Sequence, residues 1–290
     1  MKNCAFLTIE NRGNFVIDDE LVIQPLFELG WQVSTLSWQQ TDKSWSDFDI
    51  VIIRSTWDYW ESVPEFLFTL EQINSQTRLA NPLGLVRWNL EKTYLRDLAR
   101  NSGIEIVPTM WADSLQAGSI EDFQDRLASK DIVIKPVVGA NGDRVVRITP
   151  DKSLEYKKRV VESYRNSACM VQPFIPGVLT EGEYSLFFFN GVYSHAINKA
   201  PASGEFRSQE ERGAQIRRCS PAGCLLNSAQ KILGALDSTP LYARVDMVRG
   251  PTGGWLLMEL ELIEPSLYLR MAHDAATDFA DAIDHWVSSN

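Results

Sequence analysis

Arg244, Asp246, Glu259 and Glu261 are the side chains of this 290-residue chain whose types and spacing most clearly suit chemistry. They lie in YARVDMVRGPTGGWLLMELELIEP, two apolar runs separated by the turn-rich RGPTGG, a pattern that reads as a β-hairpin. With the loop centred between Thr252 and Gly253, Asp246 stands opposite Glu259 and Arg244 opposite Glu261. Residues two apart on a strand share a face, so all four project the same way. Like charges placed opposite each other destabilise a sheet, and three carboxylates need more compensation than Arg244 supplies. Oxygen ligands of this kind suit Mg²⁺ or Mn²⁺. The plainer reading is a solvated acidic face. Leu260 and Leu262 argue against it, because they leave the opposite face apolar, as in a sheet packed on a core. A bulge in the loop would shift the pairing by one residue and break this register.

Lys135 sits in DIVIKP beside apolar Val133 and Ile134, and a lysine in such a strand needs an anion, either a glutamate or a phosphate. The following loop, VVGANGDRV, offers backbone N–H groups around Gly139, Asn141 and Gly142 that can close over phosphate oxygens. It also fits an ordinary hairpin turn. Lysine, loop amides and carboxylates together match a metal–nucleotide, since cations and amides hold phosphate oxygens while carboxylates hold the ions that neutralise them. MVQPFI reads as a strand ending in a Pro-broken connector, where freed backbone groups of Gln172, Pro173 and Phe174 can meet an adenine edge. Glu183 suits ribose hydroxyls. Taken singly, each of these residues also fits a structural role.

The elements that must position these groups alternate strand and helix patterns over residues 1–86: CAFLTI, a helix-like stretch from Asp19 to Gly30, WQVSTL, DIVIIRST, a helix after Pro64, then RLANP. This order predicts parallel strands with crossover helices. Ligands of such sheets sit beyond the strands' carboxyl ends, which places Arg54, Ser55, Trp57 and Asp58 at a binding edge. The alternatives are a surface ion pair for Arg54 and a core aromatic role for Trp57. Residues 87–169 begin with an amphipathic helix in WNLEKTYLRDLARNSG, carrying Lys92 in its first turn, followed by the Lys135 strand, the Gly-containing loop, VRI, and a helix from Leu154 to about Asn166. Residues 170–290 hold YSLFFFNG and VYSHAINKA as strands, a polar segment to Gly213, a helix over 228–236, the acidic hairpin and a terminal helix after Ala272.

Composition narrows the class. The chain is 44% hydrophobic and 23% charged, with a formal net charge of −10, which argues against nucleic acid as the main partner but permits a small anionic substrate. Cys4, Cys169, Cys219 and Cys224 form no zinc-like set with the three histidines, and reduced thiols in a cytoplasmic protein are the simplest reading. The N-terminal run CAFLTIE is too short for a signal peptide, and no apolar stretch suits a membrane span.

In order along the chain, NLEKTYL, VIKP, GANGDRV, VQPF, and RVD with MELELIEPS resemble the ATP-grasp superfamily of the glutathione synthetase and RimK-like kind. IRSTWDYW, NPLGLVRWNLEKTYL, TEGEYSLFFFNGVYSHAINK and MELELIEPSLYL look closest to the ATP-grasp group that includes the cycloserine-biosynthesis cyclo-ligase. The resemblance covers nearly the whole chain. It implies an α/β (α+β) fold, with an N-terminal open parallel-sheet domain over 1–86 and two α+β subdomains, 87–169 and 170–290, sandwiching ATP. Lys92 and Lys135 would bind the ATP phosphates beneath Gly139, Asn141 and Gly142. Gln172, Pro173 and Phe174 would line adenine, and Glu183 the ribose. Asp246, Glu259 and Glu261 would hold two Mg²⁺ (or Mn²⁺) ions, with Arg244 stabilising the transferring phosphoryl group. Two departures stand out: the loop has fewer glycines than the glutathione synthetase pattern, and Glu261 replaces the asparagine of many members.

The implied activity is ATP-dependent ligation of a small carboxylate to an amine through an acyl phosphate, releasing ADP and phosphate, with ring closure within one molecule or a non-catalytic ATP-binding regulator as alternatives. An acyl phosphate needs shelter from water. Residues 199–214 suit a mobile cover, with Lys199 and Arg207 meeting phosphate or substrate carboxylate, and Arg54, Ser55 and Trp57 completing the substrate side. Glutathione-synthetase-like relatives often form homo-oligomers; no nucleic-acid or membrane partner is expected.

Overall fold

The computed structural model describes residues 1–40 and 43–289. Among them thirteen strands form three sheets, each drawn from a consecutive stretch of chain. The first sheet is parallel throughout, in the order β2-β1-β3-β4, with β1 Lys2–Thr8, β2 Trp31–Ser37, β3 Ile50–Ser55 and β4 Arg78–Ala80. All six residues of β3 are buried, as expected for a central strand covered on both faces. The second sheet is antiparallel, in the order β5-β8-β6-β7: β5 Met110–Ala112, β6 Ile132–Pro136, β7 Val146–Ile148 and β8 Cys169–Pro173. The third, also antiparallel, runs β11-β10-β9-β12-β13: β9 Glu183–Phe189, β10 Val192–Ala200, β11 Gln215–Cys219, β12 Tyr242–Arg249 and β13 Trp255–Glu261.

The first and third sheets share a core. Cys4 and Phe6 of β1, Phe187 and Phe189 of β9, and Phe279 and Ile283 of the C-terminal helix Ala275–Ser289 belong to one buried cluster. The chain's last helix therefore packs against its first strand, and Lys2 pairs with Asp284 at 2.8 Å. The third sheet's other face, with Leu186, Phe188, Val245 and Leu260, is buried against helices Tyr94–Ser102 and Gly223–Leu233.

Strand β13 lies at a sheet edge, so its outward N–H and C=O groups need partners from elsewhere. They find them in three separate segments. Leu257 donates to the carbonyl of Glu105 (2.9 Å) and accepts from the amide of Val107 (3.1 Å). Leu260 donates to the Tyr94 hydroxyl (2.8 Å), while the Asn89 side chain donates to the Leu260 carbonyl (2.9 Å) and accepts from Leu262 N–H (3.0 Å). Asn81, fully buried, donates to the carbonyls of Tyr242 (2.9 Å) and Leu262 (2.7 Å) and accepts from Leu241 N–H (2.7 Å). The Tyr242 hydroxyl lies 2.7 Å from the Ile53 carbonyl and 2.8 Å from that of Ile263, able to donate to either.

Three expectations change. Lys92 lies in the turn between helices Leu83–Asn89 and Tyr94–Ser102 rather than in a first helical turn, because Asn89 and Tyr94 are both engaged by β13 and the chain between them must bend. The helix expected over 228–236 starts earlier, at Gly223 directly after Pro221 and Ala222. Lys199 sits on β10, paired with Glu183 of β9, and so is fixed in a sheet instead of in a mobile cover. Among the described residues no helix is long and apolar enough to cross a membrane.

Replacing Asn81 with Ala leaves buried main-chain groups of β12 and its flanks without partners. We expect a loss of about 3 kcal/mol, read as a melting temperature lower by several degrees in thermal unfolding, with little change if only an exposed Asn such as Asn101 is replaced.

Candidate active site

Pairing across the third sheet puts seven polar side chains on one face. Lys199 stands opposite Glu183, Asp246 opposite both Ser185 and Glu259, and Arg244 opposite Glu261. The hairpin pairs are those expected, but by a different route. The turn is centred on Thr252, so near it Met247 faces Leu257, Val248 faces Leu256 and Arg249 faces Trp255. A β-bulge at Met258 then restores the step. Without it Asp246 would face Met258 and Glu259 would swing to the apolar face.

The carboxylates are held by more cations than Arg244. Arg244 donates to Asp246 (2.9 Å from Nη2) and to Glu261, and reaches the Ser266 carbonyl at 3.3 Å. Lys92 is 2.7 Å from Glu259 and donates to the Gly139 carbonyl at 2.8 Å. Lys199 is 2.5 Å from Glu183 and 3.5 Å from Asp246, and the Ser185 hydroxyl donates to Asp246 at 2.5 Å.

This crowding splits the acidities. Burial opposes ionisation of Asp246, yet Arg244, Lys199 and the Ser185 hydroxyl overcome it and hold its carboxyl at about 2. Glu259 is likewise lowered, by Lys92 and Lys135 against the cost of burial. Glu261 goes the other way: burial, then Asp246, Glu259 and Glu264, push it up to about 8 despite Arg244. Lys135 has no ion pair within 4 Å among the described residues and lines the same cavity.

The cavity and the solvent at its open mouth together span about 1600 Å³. On one side the second sheet contributes Gln172, Pro173, Phe174 and Val133, and β13 contributes the bulged Met258. Arg147, bound in two places by Asp131 (2.9 and 2.6 Å), lies 3.4 Å from the Phe174 ring centre. The Phe174 amide already donates to the backbone carbonyl of Asp131 (2.9 Å) and Pro173 has no N–H, so this connector offers fewer free backbone groups than the sequence reading supposed. Above, the loop at Gly139, Asn141 and Gly142 meets both neighbours: Asn141 donates to the Trp57 carbonyl (3.1 Å), and a Cβ at Gly142 would stand 3.0 Å from the Gln209 side chain. The segment before the short helical turn Glu210–Arg212 closes the roof with Phe206, Arg207, Ser208 and Gln209; Arg207 is 2.7 Å from Glu205.

Of the sequence-predicted residues, the cavity gathers Trp57, Lys92, Lys135, Gly139, Asn141, Gly142, Gln172, Pro173, Phe174, Glu183, Lys199, Arg207, Arg244, Asp246, Glu259 and Glu261. Arg54 and Ser55 lie outside its wall. Arg54 is 1% exposed, bonded to Asp19 (3.0 Å) and the Pro265 carbonyl (3.0 Å) and stacked near Tyr242 and Phe279, while Ser55 also bonds Asp19. Both are structural supports, because β3 ends inside the shared core. Sequence reasoning missed Phe15, Tyr59, Asn89, Tyr94, Ser208, Gln209 and Glu264 in or beside the wall. Only Asn89, in NLEK beside the first lysine, carried a signal that could have marked it.

The fit to a nucleotide and its metal rests on donor chemistry. Asp246, Glu259 and Glu261 each offer an oxygen, and the three lie within 4.8 Å of one another, a hard anionic set that suits Mg²⁺ or Mn²⁺. Ser208 Oγ and Gln209 Oε1 are buried at the cavity roof with no hydrogen-bond partner among the described residues, as groups that await a polar ligand would be. A divalent ion can use Glu261 only after its proton leaves. Apparent Mg²⁺ affinity should therefore rise from pH 6 to pH 8, by up to about tenfold per unit, and lose that slope in Glu261→Gln; titration calorimetry in two buffers of different ionisation enthalpy checks it.

Comparison with known proteins identifies the lineage. Residues 4–81 match the family model for the N-terminal domain of D-cycloserine synthetase DcsG, and residues 104–241 match that for the ATP-grasp domain of prokaryotic glutathione synthetase. The chain is 34% identical to the cycloserine biosynthesis protein DcsG of Streptomyces lavendulae, over 89% of this chain and 91% of that protein. It superposes on the crystal structure of D-cycloserine synthetase DcsG with a TM-score of 0.84 and 30% identity, covering 98% of this chain and 99% of the other. D-alanine–D-alanine ligase from Bacillus anthracis shares the fold at 14% identity, with a TM-score of 0.68 and 100% and 98% coverage. The chain belongs to the ATP-grasp ligases, which are ATP-dependent enzymes, and within them to the family of DcsG.

Proposed function

We propose that this chain forms a C–N bond between a small amino-acid-like or peptide carboxylate and an amine, through an acyl phosphate made at the expense of ATP. The observation that carries the reading is the single polar face on which Asp246, Glu259 and Glu261 surround Arg244, lining one cavity together with Lys92 and Lys135. A free carboxylate resists attack by an amine because its leaving group is poor, and phosphorylation supplies a good one.

Lys135 and Lys92 bind the phosphates, beneath the loop at Gly139, Asn141 and Gly142. Phe174, Gln172 and Met258 flank the base, and Glu183 takes the ribose. A phosphate on Lys92 would release Glu259, and that carboxylate with Asp246 and Glu261 would hold Mg²⁺. The metal supplies charge neutralisation of the phosphates when bound. Arg244, oriented by Asp246 and Glu261, presents its guanidinium to the transferring phosphoryl group and then to the oxyanion on the acyl carbon, both of which carry developing negative charge. The substrate carboxylate attacks the γ-phosphorus, ADP departs, the amine attacks the acyl carbon, and phosphate leaves, taking up the proton that the amine nitrogen sheds. Orientation and charge do this work, with no nucleophile from the protein. Phe206 to Gln209 exclude water from the acyl phosphate. His195, stacked 4.3 Å from Phe187 and bonded to the Leu267 carbonyl, belongs to the scaffold.

The likeness to DcsG over nearly its whole length favours a second reading of the same chemistry, ring closure within one molecule. Mass spectrometry separates the two: ring closure yields the substrate mass less one water and needs no second amine, whereas ligation yields the sum of two partners less one water.

Glu259→Ala should lower ATP-dependent phosphate release by at least about a thousandfold, roughly 4 kcal/mol in the barrier, with an unchanged circular dichroism spectrum. Full activity in that variant would refute the site. Tight ATP binding with no ADP formed across a panel of amino acids and short peptides would favour a regulator over a ligase.

A further inference from the structure

Five charged side chains are buried among the described residues: Arg54, Lys199, Arg244, Asp246 and Glu264. Four have an ion-pair partner within 4 Å, Arg54 with Asp19, Lys199 with Glu183, and Arg244 with Asp246. Glu264 has none, although it is only 8% exposed. The nearest cations are committed elsewhere: Lys92 to Glu259 and the Gly139 carbonyl, Arg244 to Asp246 and Glu261. A buried carboxylate without an ion-pair partner resists ionisation, so its negative charge is favoured when a ligand brings the opposite one.

Its surroundings say what that ligand carries. Glu264 lines the cavity and follows the metal-binding strand by a few residues, so it borders the region where the acyl group must sit. Its backbone carbonyl accepts from the Trp57 indole N–H at 2.8 Å, which fixes Trp57 in the wall beside it. Phe15 packs on Trp57 with ring centres 5.0 Å apart, and both rings face the cavity. A carboxylate next to aromatic surface is a receptor for an organic cation, since the carboxylate takes the ammonium hydrogens and the rings attract the charge through their faces.

We infer that Glu264, walled by Trp57 and Phe15, is the subsite for the ammonium group of a zwitterionic amino-acid substrate whose carboxylate lies toward Arg244. The cavity wall then carries two charges of opposite sign that no ion pair meets, Lys135 for the phosphates and Glu264 for the substrate amine, and this polarity favours one orientation of a zwitterion. This deepens the ligase reading and rests on it for treating the bound amino acid as a substrate.

The test uses the intact protein with Mg²⁺ and a non-hydrolysable ATP analogue, titrated calorimetrically with matched pairs that differ only in amine or hydroxyl: D-alanine and D-lactate, L-alanine and L-lactate, D-serine and D-glycerate. At least one amino acid should bind about 30-fold tighter than its hydroxy twin, and Glu264→Gln should shrink that ratio to about threefold or less while leaving the affinity for the ATP analogue as it was. No preference in any pair, no binding by any member, or a preference that survives in Glu264→Gln overturns the inference. Should the Gln variant melt early, Glu264→Asp serves instead: it keeps the charge but withdraws it by one methylene, and a preference reduced in the same direction is expected, an unchanged one overturning the assignment. Phosphate release from Mg-ATP is measured alongside. Release with hydroxy acids as fast as with amino acids sinks this subsite and leaves the ligase reading; amine-selective binding with no release does the reverse.

Discussion

The site is assembled around the open backbone edge of β13. A strand that carries two carboxylates on one face and leucines on the other cannot leave its outer N–H and C=O groups unmet. The chain meets them with side chains and backbone from three distant places: Glu105 and Val107, Asn89 with Tyr94, and Asn81. Each bond brings its own segment to the acidic strand. Lys92 is held between the Asn89 and Tyr94 anchors, so the hydrogen bonds that satisfy an edge also deliver a cation to Glu259. Packing and chemistry have one origin here.

The ion pairs across the polar face are best understood as an arrangement that can be rebuilt. Lys92, Lys199 and Arg244 neutralise carboxylates that would otherwise repel one another, and buried charges of this kind tolerate no vacancy for long. When a more highly charged ligand arrives, lysine heads can turn to it without any strand moving, because the anions they leave are taken by the cations that accompany it. Arg244 is the exception. Its planar fork spans Asp246 and Glu261 at once, which makes it the most strongly oriented charge in the site.

Much of this could be read from residues alone. The alternation of apolar runs gave the parallel first sheet, and the spacing of Asp246, Glu259 and Glu261 gave the shared face. What escaped was tertiary. The buried role of Arg54 depends on Asp19 and on the carbonyl of Pro265, more than two hundred residues away, and no local pattern signals that pairing. Lys199 looked like the start of a mobile segment because its strand ends in polar residues; its pairing with Glu183 and its approach to Asp246, both distant in sequence, fix it in the sheet. Glu264 carried no signal in the sequence, whereas its burial without an ion-pair partner sets it apart. The acid pairs were predicted correctly from a turn position that was half a residue off, and the bulge at Met258 made up the difference.

That bulge has an evolutionary meaning. Beyond Met258 the alignment of β12 and β13 is secured by Asn81, Asn89, Tyr94 and Ser185, none of which belongs to the turn. The irregularity takes up the offset between two anchored stretches, Leu257 with Glu105 and Val107 on the turn side and Leu260 with Tyr94 and Asn89 on the other. Insertions and losses in the RGPTGG turn can accumulate across descendants of this gene while the oxygens downstream keep their places, which makes the tip of the hairpin a tolerant spot in an otherwise intolerant ribbon.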